Sequence, residues 1–199
     1  AHAAETDSII KAANGGTIVL NSGAILQNNK AAQFGSGILA NNRVNITMED
    51  GAIIRNNTNR NYELGGGILI GNSSTFTMNG GEISGNKATQ EGGAVHVLDK
   101  DCQFFLYDGK ITGNTSGDGG AIYLNQEPSW LIMQGGEISG NTATGNGGGI
   151  SSYDSWNAST VNINGGVISN NRATNGGGIY AASRTHFHLN GGEIINNTA

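Results

Sequence analysis

The chain has 199 residues, of which 34 are glycine and one is proline, and its formal net charge is −5. Collagen is excluded because glycine does not recur at every third position and proline is almost absent. No Lys/Arg cluster occurs, which argues against a nucleic-acid or anionic-membrane partner, and the single cysteine, Cys102, excludes an intrachain disulfide framework and a zinc cluster.

The N-terminal segment differs from everything that follows it. Residues 7–15 read Asp-Ser-Ile-Ile-Lys-Ala-Ala-Asn-Gly, with an N-cap candidate, a helix-forming interior and an Asn-Gly stop. This pattern predicts a short helix within an N-terminal cap of residues 1–16. Such a helix would cover the open end of a stack of strands and prevent it from pairing with other chains.

From residue 17 onward, a segment with two apolar residues separated by one position recurs through the chain. Alternation with a period of two predicts a half-buried strand. The pairs are Ile18/Leu20, Ile46/Met48, Phe76/Met78, Phe104/Leu106, Leu131/Met133, Val161/Ile163 and Phe187/Leu189.

An isoleucine follows each of these pairs at a fixed distance, and an asparagine stands three residues after each isoleucine. We expect the isoleucines to form the spine of the core, and the asparagines to form a hydrogen-bonded ladder at a tight turn. The isoleucines are Ile25, Ile53, Ile83, Ile111, Ile138, Ile168 and Ile194. The predicted ladder consists of Asn28, Asn56, Asn86, Asn114, Asn141, Asn171 and Asn197.

A third, glycine-led segment completes each repeat and ends at Ile38, Ile68, Val95, Ile122, Ile150 and Ile179. Successive spine isoleucines lie 26 to 30 residues apart. Three short strands and three turns per repeat predict a parallel β-helix, and parallel crossovers favour the right-handed sense. Residues 17–199 are therefore predicted to form an all-β, right-handed, single-stranded parallel β-helix (a solenoid) with about seven rungs of three strands each.

Several charged residues are predicted to lie side by side on the outside of the helix. Glu82, Lys110 and Glu137 precede successive spine isoleucines and should form a ladder of alternating charge. We favour this structural interpretation over a catalytic carboxylate pair, because opposite charges on adjacent strands support one another.

Catalysis is the less favoured function class for this chain. Polysaccharide lyases and glycoside hydrolases need carboxylates close together, whereas carboxylates are few and scattered here. The histidines His96, His186 and His188 fall on outward positions and are expected at the surface. We expect no enzyme activity, no cofactor and no metal site.

Two stretches carry a family motif: Ile168 to Tyr180, and residues 114–123, which contain a literal Gly-Gly-Ala-Ile at Gly119 to Ile122. They resemble the repeats of polymorphic outer-membrane proteins and related bacterial adhesins, and the resemblance runs from about residue 17 to 199. It implies a right-handed β-helix at the bacterial cell surface or secreted, which contacts host cells, host proteins or glycans. The family's usual phenylalanine before the Asn is an isoleucine here.

The end of the sequence carries an expectation of its own. Asn197-Thr198-Ala199 is in register with Asn141-Thr142-Ala143, so the sequence stops midway through a repeat. We therefore expect a fragment of a longer surface protein, and an open end of this kind would allow end-to-end dimers.

The candidate binding site lies where the repeat is broken. The turn between the glycine-led strand and the alternating strand lengthens in mid-chain, at residues 99–101, 126–130 and 152–157. Equivalent turns of consecutive rungs are neighbours in space, and exposed aromatic groups beside polar ones suit sugar stacking or a protein hot spot. The predicted binding residues are Trp156, Tyr153, Asp154, Trp130, Glu127, Tyr123, His96 and Asp101.

We expect noncovalent recognition of a host glycoprotein, such as a mucin or an immunoglobulin, of another host protein, or of a glycan. Nucleic acid and membrane insertion are not expected. Two alternatives stay open. The chain could be a passive structural stalk, and Trp130 and Trp156, with Phe105 and Ile132 beneath them, could simply pack over the longer turns.

Overall fold

The computed structural model describes residues 7–31, 34–59, 64–125, 128–153, 158–182 and 184–199. The strands in chain order are β1 (Ile10–Ala13), β2 (Thr17–Leu20), β3 (Ile25–Gln27), β4 (Lys30–Ala31), β5 (Ile38–Asn41), β6 (Asn45–Met48), β7 (Ile53–Arg55), β8 (Thr58–Asn59), β9 (Ile68–Gly71), β10 (Thr75–Met78), β11 (Glu82–Ser84), β12 (Val95–Val97), β13 (Gln103–Leu106), β14 (Lys110–Thr112), β15 (Thr115–Ser116), β16 (Ile122–Leu124), β17 (Trp130–Met133), β18 (Glu137–Ser139), β19 (Thr142–Ala143), β20 (Ile150–Ser152), β21 (Thr160–Ile163), β22 (Val167–Ser169), β23 (Ile179–Ala181), β24 (His186–Leu189) and β25 (Glu193–Ile195).

These strands form an all-β parallel solenoid with three seven-stranded sheets. The first sheet contains β1, β5, β9, β12, β16, β20 and β23; the second contains β2, β6, β10, β13, β17, β21 and β24; the third contains β3, β7, β11, β14, β18, β22 and β25. All strand pairs within the three sheets are parallel, and each rung contributes one strand to each sheet. The predicted fold class is confirmed.

The core is a set of columns in which each apolar side chain stacks on its equivalent in the next rung. In the second sheet, Phe76 lies opposite Phe104, and their ring centroids are 4.7 Å apart with planes inclined by 16°. Both rings are fully buried. Burying one such side chain contributes about 1.5–3 kcal/mol, and no rung can bury its own, so stability comes from the stacking of neighbours.

The predicted N-terminal helix is wrong for the part of it that the structure describes. Ile10–Ala13 form strand β1, which pairs in parallel with β5, so that Ile10 lies opposite Ile38. The strand places Ile10 and Ala12 against the core, and this packing outweighs the local helix propensity. Asn14 and Gly15 have φ of 59° and 84° and form a turn. Residues 1–6 lie outside the described residues.

No helix occurs in the described part of the chain. Accordingly, none of those residues belongs to a helix of the length and apolarity needed to cross a membrane.

The register of the spine differs from the prediction in the first two rungs. Ile83 lies opposite Ile54 rather than Ile53, and the inward residue of the first rung is Leu26. Ile25 is 47% exposed. The cause is the turn after the second sheet, which is one residue longer in the early rungs. Met48 and Met78 lie opposite each other, as do Ile54 and Ile83. The chain therefore needs one more residue to reach Ile54 from Met48 than to reach Ile83 from Met78.

The same shift moves the asparagine ladder in these rungs. Asn57 donates to Asn86 Oδ1, and the Asn29 backbone N–H donates to Asn57 Oδ1, so Asn28 and Asn56 are not members of the ladder. These two residues stand one position earlier, with φ of 62° and 55°. The left-handed residues at the equivalent place in later rungs are Gly85, Gly113, Gly140, Asn170 and Asn196.

From Asn57 to Asn197, the ladder links adjacent rungs through buried amides. Asn114 is typical: its Nδ2 donates to Asn141 Oδ1 and to the Ile83 carbonyl oxygen, both at 3.0 Å. Its Oδ1 accepts from the backbone N–H of Asn86 at 2.9 Å and from Asn86 Nδ2 at 3.1 Å. The donor and acceptor groups of each buried side-chain amide are thus hydrogen-bonded, and the amide also provides a donor for a backbone carbonyl that faces the core.

A glycine-led loop then carries the chain over the outer face of the first sheet. Gly119 has φ of 61°, and a Cβ on it would lie 2.9 Å from the Tyr123 Cβ. A Cβ on Gly120 would lie 2.7 Å from the Thr142 carbonyl carbon of the next rung. Glycine at these positions therefore allows close stacking of the loops of successive rungs. Under this loop layer, the outward side chains of the first sheet are buried in the middle rungs, at Leu69, His96, Tyr123 and Ser151.

Candidate functional site

The eight predicted binding residues fall into three groups. Glu127, Asp154 and Trp156 lie outside the described residues. His96 and Tyr123 are buried under the loop layer, and Asp101, Trp130 and Tyr153 lie along the turn edge between the first and second sheets.

His96 is fully buried, so its expected surface position is wrong. Its ring lies on the outer side of the first sheet, where β12 places it directly opposite Tyr123 on β16, with the ring centroids 5.2 Å apart. The glycine-led loop covers both rings. Leu69, in the preceding rung, occupies the same column and is likewise buried. In contrast, His186 and His188 lie on the exposed strand β24.

A carboxyl group from the covering loop joins this buried pair. Glu91 Oε2 lies 3.9 Å from His96 Nδ1, and neither ring nitrogen has a hydrogen-bond partner among the described residues. Burial lowers the pKa of His96 to about 3, so the imidazole is neutral. The Tyr123 hydroxyl donates to the Glu91 carboxylate, and burial raises the pKa of both Tyr123 and Glu91.

A small cleft of about 320 Å³ lies outside this cluster. It is lined by Glu91 and by Asp118 of the next rung, whose backbones form an isolated parallel β-bridge. Asp118 accepts from the Asn146 backbone N–H at 2.6 Å and from its Nδ2 at 3.3 Å. In the described part of the chain, no three His, Cys, Asp or Glu side chains are grouped to hold a metal ion. The two carboxyl groups are thus held by neighbours in the same loop layer.

A partly exposed group of aromatic and apolar side chains lies on the outer side of the second sheet. We define the aromatic face as Phe105, Tyr107, Trp130 and Ile132. Phe105 lies opposite Ile132 on the next strand, and Trp130 lies opposite Gln103, two positions before Phe105. The rings of Phe105 and Tyr107 are 6.2 Å apart, with planes inclined by 11°, and Tyr107 is 49% exposed.

The aromatic face is specific to the middle rungs. In the column of Phe105 and Ile132, the rung before has Thr77 and the rung after has Asn162. In the column of Trp130, the equivalent residues are Thr75 and Thr160. Since neighbouring rungs form the same strand with threonine or asparagine, the sheet does not require large side chains there. From the sequence, Phe105 and Ile132 were interpreted as residues that pack under the longer turns, although the alternating pattern already predicted that they point outward. Tyr107 was not among the predicted binding residues.

The turn edge adjoins the aromatic face. Asp101 is exposed, has φ of 59°, and donates its backbone N–H to the Pro128 carbonyl, two residues before Trp130. Tyr153 is 46% exposed and bonds through its backbone N–H to Leu124 of the preceding rung. Cys102, beside Asp101, is buried, and burial raises the pKa of its thiol to about 11, so it is unreactive at neutral pH.

A longer groove of about 920 Å³ follows the turns between the second and third sheets. Its floor contains Gly80, Gly109 and Gly136, which project no side chains. On its wall, Lys110 lies in register between Glu82 and Glu137, as the alternating-charge ladder predicted. The groove is therefore a product of the repeated glycine turns.

The comparisons with known proteins agree with this repeat structure. The Chlamydia polymorphic membrane protein repeat matches residues 108–125 and 136–153. Searches of curated proteins and of solved structures return no match. Each matched segment contains a ladder asparagine, Asn114 or Asn141, and the following glycine-led loop. Over these two segments the chain is similar to the polymorphic membrane protein repeat, and the observed β-helix rungs fit that similarity.

Proposed function

We propose that this chain is a non-enzymatic binding module of a bacterial surface protein, an adhesin that recognises a host glycoprotein, another host protein or a glycan. The ligand contacts the aromatic face and the adjoining turn edge with Asp101 and Tyr153. The observation that carries this proposal is the replacement of threonine by Phe105 and Trp130 on outward positions of a sheet that forms equally well without them.

The composition of the aromatic face suits binding. Aromatic side chains supply large contact areas at a small cost in conformational entropy, and tryptophan and tyrosine are enriched among residues that dominate binding energy. Trp130, Phe105 and Ile132 are half-buried on the strands of the second sheet, and Tyr107 is more exposed. A ligand that covers them removes apolar surface from water without any rearrangement of the backbone.

The state of the buried polar groups supports a non-enzymatic function. Glu91 and Asp118 line the small cleft, and Glu91 accepts from Tyr123 while Asp118 accepts from Asn146. Both carboxylates are thereby engaged in holding the loop layer in place. His96, beneath them, is inaccessible to a substrate.

The test is capture of host glycoproteins by the immobilised chain. Mucins, immunoglobulins and detergent-solubilised host surface proteins would be applied to the wild type and to the variant Phe105→Thr/Trp130→Thr, which carries the residues of neighbouring rungs. We expect saturable capture by the wild type and loss of capture by the variant at an unchanged melting temperature. A matched control is Val19→Thr, on the same sheet face but in the first rung.

Absence of any capture by the folded wild type would refute the proposal and favour the passive stalk. Release of new reducing ends from polygalacturonate or mucin glycans would refute its non-enzymatic part.

A further inference from the structure

The outer face of the second sheet differs in charge from the outer face of the third sheet. Within strands β6, β10, β13, β17 and β21 the outward positions carry no ionisable side chain, although the chain carries a net charge of −5. These positions are Asn45, Thr47, Thr75, Thr77, Gln103, Phe105, Trp130, Ile132, Thr160 and Asn162. The column of Tyr107, just beyond these strands, contains Glu49 two rungs earlier, where it accepts from Asn79 Nδ2 at 3.1 Å. By charge complementarity, this face suits an uncharged ligand, whereas the third sheet presents Glu82, Lys110 and Glu137.

The side chains on this face combine two kinds of group. Phe105, Tyr107 and Trp130 offer ring surfaces, and the positions around them offer amides and hydroxyls, such as Gln103 beside Trp130 and Thr77 beside Phe105. Sugars have the matching composition, because a pyranose ring has an apolar face of C–H groups and a rim of hydroxyls. An aromatic ring can stack on the former while amide and hydroxyl side chains bond to the latter.

The shape of the face also selects the ligand. Adjacent strands lie about 4.8 Å apart, so equivalent side chains form straight rows along the solenoid axis. The aromatic face extends over two rungs, from Trp130 and Ile132 on one strand to Phe105 and Tyr107 on the strand before it. Such a surface suits an extended chain of repeating units that lies across it, rather than a compact small molecule, which needs an enclosing pocket.

From these features we infer that the aromatic face binds an uncharged glycan chain, by stacking of sugar rings on Trp130, Phe105 and Tyr107 and by hydrogen bonds to the flanking amides and hydroxyls. The inference rests on the proposed binding function and specifies its ligand class. A host protein that docks on the same face through apolar side chains is the competing occupant, and the experiment separates the two.

The experiment uses tryptophan fluorescence of the whole chain. Substitution Trp156→Phe leaves Trp130 as the sole tryptophan. The protein is titrated with neutral chito-, cello- and xylo-oligosaccharides and, for comparison, with heparin oligosaccharides. We expect a saturable change in Trp130 emission with at least one neutral series, and none with heparin. Because the ligand is uncharged, the affinity should not change when the salt concentration is raised.

Variants taken from neighbouring rungs localise the binding. Phe105→Thr copies Thr77, and Tyr107→Asn copies Asn79, which occupies the equivalent position one rung earlier. Each should weaken the neutral oligosaccharide by about tenfold or more, as expected for the loss of one stacking contact. Val19→Thr should leave the affinity unchanged, and all variants should keep the wild-type melting temperature.

Several outcomes would overturn the inference: no response to any neutral oligosaccharide, a response that Phe105→Thr and Tyr107→Asn leave intact, or preference for heparin. If the oligosaccharides fail but a captured host protein is lost from the same variants, the glycan assignment is wrong and the binding function stands. If neither ligand binds the folded chain, both are wrong.

Discussion

Phe105 and Thr77 occupy the same register position on adjacent strands of the second sheet, yet one is a large aromatic residue and the other a small polar one. The inward neighbours at these strands, Phe104 and Phe76, are instead both phenylalanine and stack at 4.7 Å. Inward positions are constrained by the column they join, whereas outward positions are open to variation. On the proposed function, the division between folding and binding follows the two faces of the strands of the second sheet.

The buried asparagine ladder should be among the most sensitive parts of the fold. Asn114→Ala removes the hydrogen bonds that the Asn114 side-chain amide makes in both directions along the ladder, and it leaves the Ile83 carbonyl and the Asn86 N–H unsatisfied in the core. Each buried group left unpaired costs about 1–3 kcal/mol, so we expect the free energy of unfolding in urea to fall by about 3 kcal/mol or more.

The control for this prediction is Asn190→Ala. Asn190 also bonds to an asparagine of the adjacent rung, Asn164, at 2.8 Å, but it is exposed. Water can replace its partner, and the loss should stay below about 1 kcal/mol. Equal losses in the two variants would show that burial of the ladder is not what makes it important.

Because the glycine-led loops of successive rungs stack closely, we expect that replacing one of their glycines by alanine lowers the stability of the fold. Gly120→Ala should lower the free energy of unfolding by about 1–3 kcal/mol, because its Cβ would meet the backbone of Thr142 and the loop must move. Gly16→Ala is the matched control, since a Cβ there meets only ordinary contacts, at 3.6 Å. Thermal unfolding of both variants checks this. A tolerated alanine at Gly120 would contradict the close stacking of the loops.

The buried histidine should make the fold sensitive to acid. Burial holds the pKa of His96 near 3, below its ordinary value of 6.5, so the unfolded chain takes up a proton at this residue before the folded chain does. Stability is fully present above pH 6.5 and is lost as the pH falls towards 3, by up to about 1.4 kcal/mol per pH unit. The raised pKa of Glu91 acts in the opposite direction.

The substitution His96→Leu isolates this effect, because Leu69 already occupies the same column in the preceding rung. It should raise the free energy of unfolding at neutral pH and remove the loss between pH 6.5 and 3, as measured by urea unfolding across that range. His188→Asn, at an exposed position on β24, should change neither quantity. A variant His96→Leu with the wild-type pH dependence would show that His96 is not the responsible group.

The periodic part of the sequence was sufficient to predict the architecture. Isoleucine, asparagine and glycine recur at fixed distances, and only a stack of three-stranded rungs gives each of them a column. The exact register was less predictable. Where two apolar residues and two asparagines are adjacent, as at Ile53-Ile54 and Asn56-Asn57, the sequence permits two registers, and the length of the preceding turn decides between them.

Other errors arose from contacts between distant parts of the chain. Residues 10–13 have a helical local pattern, and only pairing with β5 makes them a strand. His96 alternates outward from the first sheet, but the loop that covers it follows from the stacking of glycines in successive rungs. Of the candidate site, the turn edge was predicted, whereas Tyr107 lies at the opposite end of the second-sheet strand from those turns and was missed.

On the proposed function, the aromatic face contributes to binding and not to folding. The most direct measurement compares the wild type with Phe105→Thr/Tyr107→Asn/Trp130→Thr, for both the free energy of unfolding and the affinity for the captured host ligand. We predict a free energy within about 1 kcal/mol of the wild type, as is usual for outward substitutions, together with loss of binding. A variant that unfolds readily, or one that still binds with wild-type affinity, would contradict the claim.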